Sequence, residues 1–79
     1  MITVLRAHGL RVVIFVDDHE PAHVHVFGDG HAKINLVSAD GYPLLVWAED
    51  MTKGEVRRAF KVVIENQAVL LKRWNEIHG

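Results

Sequence analysis

The order of two hydrophobic periods along the chain limits most strongly what it can fold into. Before residue 50, short apolar and β-branched runs alternate with glycine and proline turns, which is typical of strands. After Thr52, apolar residues recur at helical spacing as far as Ile77. Strands that precede a helix, rather than alternating with helices, predict one α+β domain over residues 1–79.

Five runs of strand-like sequence predict one antiparallel sheet of four to five strands. The runs lie at about 3–7, 10–16, 22–27, 31–37 and 42–48. Gly9 supplies the positive φ that a two-residue hairpin needs between the first two strands. The second run is apolar on both faces, which predicts a central strand. Pro43, at the start of the fifth, predicts a strand at the sheet edge.

One long C-terminal helix is predicted over about residues 53–77. Thr52 and Glu55 have the spacing of a capping box, in which Thr52 accepts the backbone N–H of Glu55 while Glu55 reaches back. Gln67 interrupts the apolar stripe, and three apolar residues lie off it: Val62, Val69 and Leu71. This surplus indicates contact with another chain or partial exposure. Trp47 and Trp74 are predicted to be core residues.

The register of the third and fourth strands decides which of their residues share a face. A two-residue loop would pair His25 with Ile34 and mix the faces, whereas a three-residue loop pairs His25 with Lys33 and keeps one face apolar. We therefore predict the three-residue loop. The helix then covers the apolar face, and an open polar patch remains on the other, formed by His23, His25, Lys33 and Asn35, with His31 nearby.

Several interpretations of this patch are open. As an enzyme, the chain would use His23 and His25 as general base and acid, with Lys33 stabilising charge on phosphate, in metal-independent RNA cleavage. As a binding module, it would hold phosphate, RNA or a protein. The further binding candidates are Asn35, His31 and Glu20, and on the helix Arg57, Arg58 and Lys61. In the structural interpretation, the histidines only bond neighbouring carboxylates or pack in a protein interface, and each functional interpretation has to outweigh this one.

Metal binding is the third functional interpretation. Two histidines at i and i+2 on a strand can turn their rings toward one ion. The third ligand would come from His19, Asp17, Glu20 or His31, with His19 the first choice. No cofactor is otherwise predicted, and zinc or another divalent metal belongs to this alternative.

Composition narrows the class of protein. The chain has no cysteine, so it has neither disulfides nor a thiolate zinc site. A net charge of -1 excludes a strongly basic nucleic-acid binder. No signal-peptide pattern and no apolar run near the ~20 residues of a membrane span occur, so a cytoplasmic location is expected. The hydrophobic fraction of 49% predicts an oligomer or a partner protein.

Several segments together resemble a small bacterial family of unknown function. The most specific is residues 19–26, His-Glu-Pro-Ala-His-Val-His-Val, which is similar to a Glu-x-x-Pro-Pro-His-x-His-Val-like family signature. Ala22 stands where that signature has its second proline, a departure that affects loop stiffness more than chemistry. The opening residues 3–6 and the closing residues 71–76 extend the resemblance over nearly the whole chain.

The resemblance implies one half of a two-gene cassette of toxin–antitoxin type, with a small protein partner. It singles out His23 and His25, then Glu20. We therefore predict a component of a toxin–antitoxin-like module that acts through protein contact, with the ribonuclease hypothesis as its enzymatic form. Whether the chain is an enzyme stays open. A cognate protein or a homo-oligomer is the expected partner, RNA is an alternative, and no membrane association is expected.

Overall fold

The computed structural model describes all 79 residues and consists of one sheet and two helices. The strands are β1 Ile2–Ala7, β2 Leu10–Ile14, β3 His23–Phe27, β4 His31–Asn35 and β5 Leu44–Glu49; the helices are α1 Lys53–Glu65 and α2 Gln67–His78. The strands pair antiparallel in the order β1-β2-β3-β4-β5, so each lies beside the next along the chain. The α+β prediction is confirmed, with β2 inside the sheet and β5 at its edge.

The ends of the strands depart from the predicted limits where turns compete with pairing. At the first turn, His8 and Gly9 have φ angles of 53° and 75°, the two positive values of a tight hairpin. The second strand stops at Ile14 instead of residue 16 because the Asp18 N–H bonds the Phe15 carbonyl, which closes a turn. The fifth strand likewise starts at Leu44 instead of residue 42, after a turn.

The prediction of a single C-terminal helix is wrong, because the helix breaks at Asn66. The Asn66 backbone N–H bonds the Val63 carbonyl, which ends α1. At the start of α2, the Gln67 side chain donates to the carbonyls of Leu36 and Gly41, at 2.7 and 2.9 Å. These two bonds fasten α2 to the segment after β4. The residue that interrupts the apolar stripe is therefore the one that anchors the second helix.

The capping box forms in only one direction. Thr52 Oγ1 accepts the Glu55 backbone N–H at 3.1 Å, as predicted. Glu55 does not reach back; its carboxylate accepts the Asp29 N–H at 2.9 Å and is buried. Glu55 therefore ties the start of α1 to the turn between β3 and β4.

The core lies between one face of the sheet and the two helices. The core cluster consists of alternate residues of β2, β3 and β4, of Leu36 just after β4, and of apolar residues of both helices. Its members are Leu10, Val12, Ile14, Val24, Val26, Ile34, Leu36, Ala59, Val62, Val63, Leu70 and Trp74. The core position predicted for Trp74 is confirmed. That of Trp47 is wrong, because it pairs with Lys33 on the opposite face of the sheet and is half-buried. Neither helix has the length and hydropathy to cross a bilayer.

Candidate metal-binding site

The pairing of β3 with β4 sets which side chains face the candidate site. His25 pairs with Lys33, His23 with Asn35, and Phe27 with His31, which is the register that a three-residue loop predicts. Because alternate residues of a strand point to opposite faces, these residues share the face opposite the core. The predicted patch is therefore assembled on one side of the sheet.

The patch is less open than predicted. His23 is only 4% exposed, because the indole of Trp74 lies beside it with the ring centroids 5.2 Å apart. His25 and Lys33 are half-buried. One helix residue thus covers the β3 end of the patch, and His23 has almost no direct contact with solvent.

A carboxylate joins the two histidines. Asp18 Oδ2 lies 3.1 Å from His23 Nε2 and 3.7 Å from His25 Nε2. One ligand atom from each of the three residues lies within 4.8 Å of the other two. His19, the predicted first choice for the third ligand, is exposed and lies outside this cluster. The third member is instead Asp18, the residue before it. The other predicted third ligands, Asp17, Glu20 and His31, also lie outside it.

A turn after β2 fixes the position of Asp18. Its side-chain Oδ2 accepts the Phe15 N–H at 3.3 Å, while its own N–H donates to the Phe15 carbonyl at 3.2 Å. The Phe15 ring meets the His25 ring edge-on, with centroids 4.7 Å apart. The same residue therefore positions the carboxylate and packs against one of the imidazoles. The sequence shows several polar side chains at residues 17–20, and only this turn selects Asp18.

The two nitrogens of His23 have different partners. Nδ1 lies 2.8 Å from the Pro21 carbonyl oxygen, which can only accept, so Nδ1 carries a proton and donates it. Nε2 faces the Asp18 carboxylate. If the ring is neutral, Nε2 presents a lone pair to a negatively charged oxygen, which is repulsive. A second proton or a cation between the two atoms is therefore required.

His25 is held as a neutral imidazole. Burial lowers the pKa of His25 to about 4; the Asp18 carboxylate opposes this shift, and His23, His31 and Lys33 add to it. Its Nδ1 lies 2.9 Å from His31 Nε2, and the His31 ring stacks on Phe27 with centroids 4.2 Å apart. His31 therefore orients His25 from the side away from Asp18. The lone pair of the neutral ring lies on Nε2, toward Asp18, in the tautomer in which Nδ1 donates to His31.

Two imidazoles and one carboxylate form a donor set that divalent zinc, iron, cobalt or nickel accepts. Around zinc, with bonds of about 2.1 Å, ligand atoms of a tetrahedron lie about 3.4 Å apart. The separations from Asp18 Oδ2 to the two histidine nitrogens, 3.1 and 3.7 Å, bracket that value, and the two nitrogens lie within 4.8 Å of each other. Three protein ligands would leave a coordination position on such an ion for water or a substrate.

The other predicted site residues lie in three different places. Lys33 and Asn35 stay beside the histidines, and the Asn35 Oδ1, opposite His23, is buried without a hydrogen-bond partner. Glu20 accepts the indole N–H of Trp74 at 3.3 Å. The helix cations lie on α1, which packs on the other face of the sheet and does not join them: Arg57, Arg58 and Lys61.

The fold and the cluster define a small α+β protein with a candidate site of two histidines and one carboxylate. The chain belongs to the family described as Domain of unknown function (DUF4160), whose model matches residues 9–75. No curated protein and no solved structure matches the chain. The family match supports the resemblance to a small domain of unknown function. The two-gene pairing and the signature stay predictions.

Proposed function

We propose that this protein is a metal-binding domain in which Asp18, His23 and His25 hold one divalent transition-metal ion. The observation that carries the proposal is the 3.1 Å contact between His23 Nε2 and Asp18 Oδ2, made while Nδ1 of the same ring already donates to the Pro21 carbonyl. An ion between the two atoms removes the repulsion and uses the His23 lone pair.

The groups behind the ligands support the same proposal. Histidines that bind metals commonly donate their second ring N–H to a backbone carbonyl, a carboxylate or water, which fixes the tautomer and the ring orientation. His23 has such a partner in the Pro21 carbonyl, and the Nδ1 of His25 is bonded to His31. The Asn35 Oδ1 is a buried acceptor without a partner across from His23, and a water bound to the ion could donate to such a group.

Calorimetric titration of zinc into untagged, chelator-treated protein tests this proposal. We expect one ion per chain. We expect the Asp18→Asn variant to bind zinc at least about 100-fold more weakly. Removing a residue that only hydrogen-bonds to a metal ligand already lowers metal affinity 10–100-fold, and Asp18 is itself a proposed ligand. The asparagine keeps the shape of the side chain and an oxygen for the Phe15 N–H. The matched control is His19→Ala, which removes an exposed histidine next to the cluster and should bind as the wild type does.

A proton shared by His23 and Asp18 would satisfy the same contact, and the titration separates the two cases. An Asp18→Asn protein that binds zinc as tightly as the wild type, or a loss of binding in His19→Ala, contradicts the proposal. Absence of a bound ion from the wild type in both titration and elemental analysis leaves the proton as the explanation.

A second candidate function is that of one component in a toxin–antitoxin-like pair, acting through protein contact. An apolar surface between β5 and α1 favours it. Edge strands offer unpaired backbone groups to another chain, and β5 exposes Leu44, Leu45 and Val46 by 51%, 36% and 44%. A groove continues from Leu45 onto α1 and is lined there by Val56, Arg57, Phe60, Lys61 and Ile64.

The charge of this groove favours a partner protein over a second copy. Its apolar floor is bordered by Arg57 and Lys61, and neither has a carboxylate oxygen within 4.0 Å. In a symmetric dimer both copies would bring the same cations to the interface. A partner segment that combines apolar with acidic side chains would instead fill the groove and neutralise its border.

Co-expression with the product of the neighbouring gene tests this second function. Size-exclusion chromatography is expected to give a complex with the wild type and none with the Arg57→Glu/Lys61→Glu double variant. The control, Lys72→Glu, reverses an exposed charge on α2 and should retain the complex. A complex that forms equally with the double variant, or a wild-type chain that only pairs with itself, contradicts the assignment of the groove.

Metal-independent RNA cleavage by His23, His25 and Lys33 is the enzymatic form of this second function. It is supported by the neutral imidazole of His25, which can accept a proton, and by Lys33 opposite it in the register. The burial of His23 beside Trp74 weighs against direct contact with a substrate. A folded His25→Ala protein that loses toxicity on expression would support this form, and one that stays toxic would exclude it.

A further inference from the structure

Two arginines face each other on the hairpin of β1 and β2 without a counter-charge. Arg6 and Arg11 are partners in the register of the two strands, so their side chains leave the sheet on the same face. No carboxylate oxygen lies within 4.0 Å of either guanidinium. Like charges directly opposite each other destabilise an antiparallel pair. The hairpin therefore carries two positive charges that form no ion pair within the chain.

A recess of about 410 Å³ lies beside the pair. Arg6, Arg11 and Phe27 line it together with Ala7, Gly9, Leu10 and Gly28. A Cβ added at Gly9 would meet nothing within 4 Å, so the backbone there is open to a ligand. Both charges thus border a space large enough for a small molecule.

The guanidinium of Arg11 is held in place by an aromatic ring. Its central carbon lies 5.4 Å from the centroid of the Phe27 ring, within the range of a cation–π contact. The Phe27 ring is itself stacked on His31, with an angle of 15° between the planes. The Arg11 side chain makes no hydrogen bond within the chain, so its N–H groups are free for a ligand while the contact with Phe27 restricts its motion. Such preorganisation lowers the entropy lost when a ligand binds.

We propose that this recess binds the terminal phosphate of a nucleotide or of a 5′-phosphorylated single RNA strand. Two guanidinium groups match the charge of a phosphate of about -1.5 to -2, and their N–H pairs match its oxygens. A single carboxylate would neutralise only one of the two arginines. The recess is larger than a bare phosphate, so it has room for an attached sugar and base. The site lies on the sheet face that carries His25 and does not depend on an ion at Asp18.

Titration monitored by amide chemical shifts tests the proposal with three probes: inorganic phosphate, adenosine monophosphate, and a six-nucleotide RNA with a 5′ phosphate. We expect the nucleotide or the RNA to bind, with shifts centred on the β1–β2 turn. We expect Arg6→Gln and Arg11→Gln to weaken binding by about tenfold or more, since each removes a charge-assisted contact. Lys72→Gln, an equal change of charge on α2, should bind within about twofold of the wild type.

The probes and variants separate the alternatives. If Lys72→Gln weakens binding as much as the arginine variants do, the loss depends only on the net charge of the protein, and the proposal is overturned. Inorganic phosphate binding as tightly as the nucleotide would overturn the assignment to a nucleotide. So would the absence of shifts with any probe at millimolar concentration. Arg6 is exposed, so its variant should stay folded even if Arg11→Gln does not; Arg11→Lys, which keeps the charge, should lose less than Arg11→Gln.

Discussion

Zinc at a 100-fold excess over its dissociation constant is expected to raise the melting temperature of the metal-stripped protein by roughly 10–20 °C. A ligand that binds only the folded state adds about 2.7 kcal/mol at that excess, and a domain of this size gains about 4–8 °C for each kcal/mol. The ion should select the folded state because Asp18 comes from a turn and His23 and His25 from a strand. Calorimetric or circular-dichroism melting, with and without zinc, measures the shift.

Asp18→Asn and His19→Ala are the test variant and the control for this shift in melting temperature. At the same zinc concentration Asp18→Asn should gain no more than about 3 °C, because a site 100-fold weaker is only half-filled there, whereas His19→Ala should gain as much as the wild type. Equal stabilisation of Asp18→Asn would mean that zinc binds elsewhere on the chain, and the cluster would lose its proposed role.

Replacing Trp74 with alanine is expected to cost about 3–5 kcal/mol of unfolding free energy, a large part of the total for a chain of this length. Trp74 is only 1% exposed and belongs to the core cluster. Its indole also packs against the rings of His23 and His78 and donates to Glu20. The loss would therefore remove core volume and the cover of His23 at the same time. Urea unfolding followed by far-ultraviolet circular dichroism measures it.

The second tryptophan supplies the comparison. Trp47 is half-buried on the opposite face and is absent from the core cluster, so Trp47→Ala should cost clearly less than Trp74→Ala. If the unfolding free energy of Trp74→Ala lies within about 1 kcal/mol of the wild-type value, Trp74 does not have the proposed role of joining α2 to the sheet.

The sequence predicts the sheet well because a period of two leaves little freedom. Once Val24 and Val26 must share an apolar face with Ile34, only one parity of the β3–β4 turn is allowed, and the structure has it. The break at Asn66 could not be predicted in this way. It is accompanied by bonds from Gln67 to the carbonyls of Leu36 and Gly41, which are distant in sequence. A single interrupted position in an apolar stripe does not reveal such partners.

Part of the candidate site can likewise be predicted from strand periodicity, and part of it cannot. His23 and His25 could be found because residues two apart on a strand share a face. Asp18 could not be chosen from the neighbouring polar residues, since the turn with Phe15 selects it. The burial of His23 cannot be predicted from strand periodicity, because Trp74, which covers it, comes from the other end of the chain. Contacts set by the backbone period are readable in the sequence, and contacts between distant elements are not.

The most direct test is anomalous X-ray scattering at the zinc absorption edge from crystals grown with zinc. We expect one peak within about 2.0–2.2 Å of an Asp18 carboxylate oxygen, His23 Nε2 and His25 Nε2. Zinc-containing crystals without a peak at these atoms, in which His23 bonds directly to Asp18, would contradict the proposed metal site.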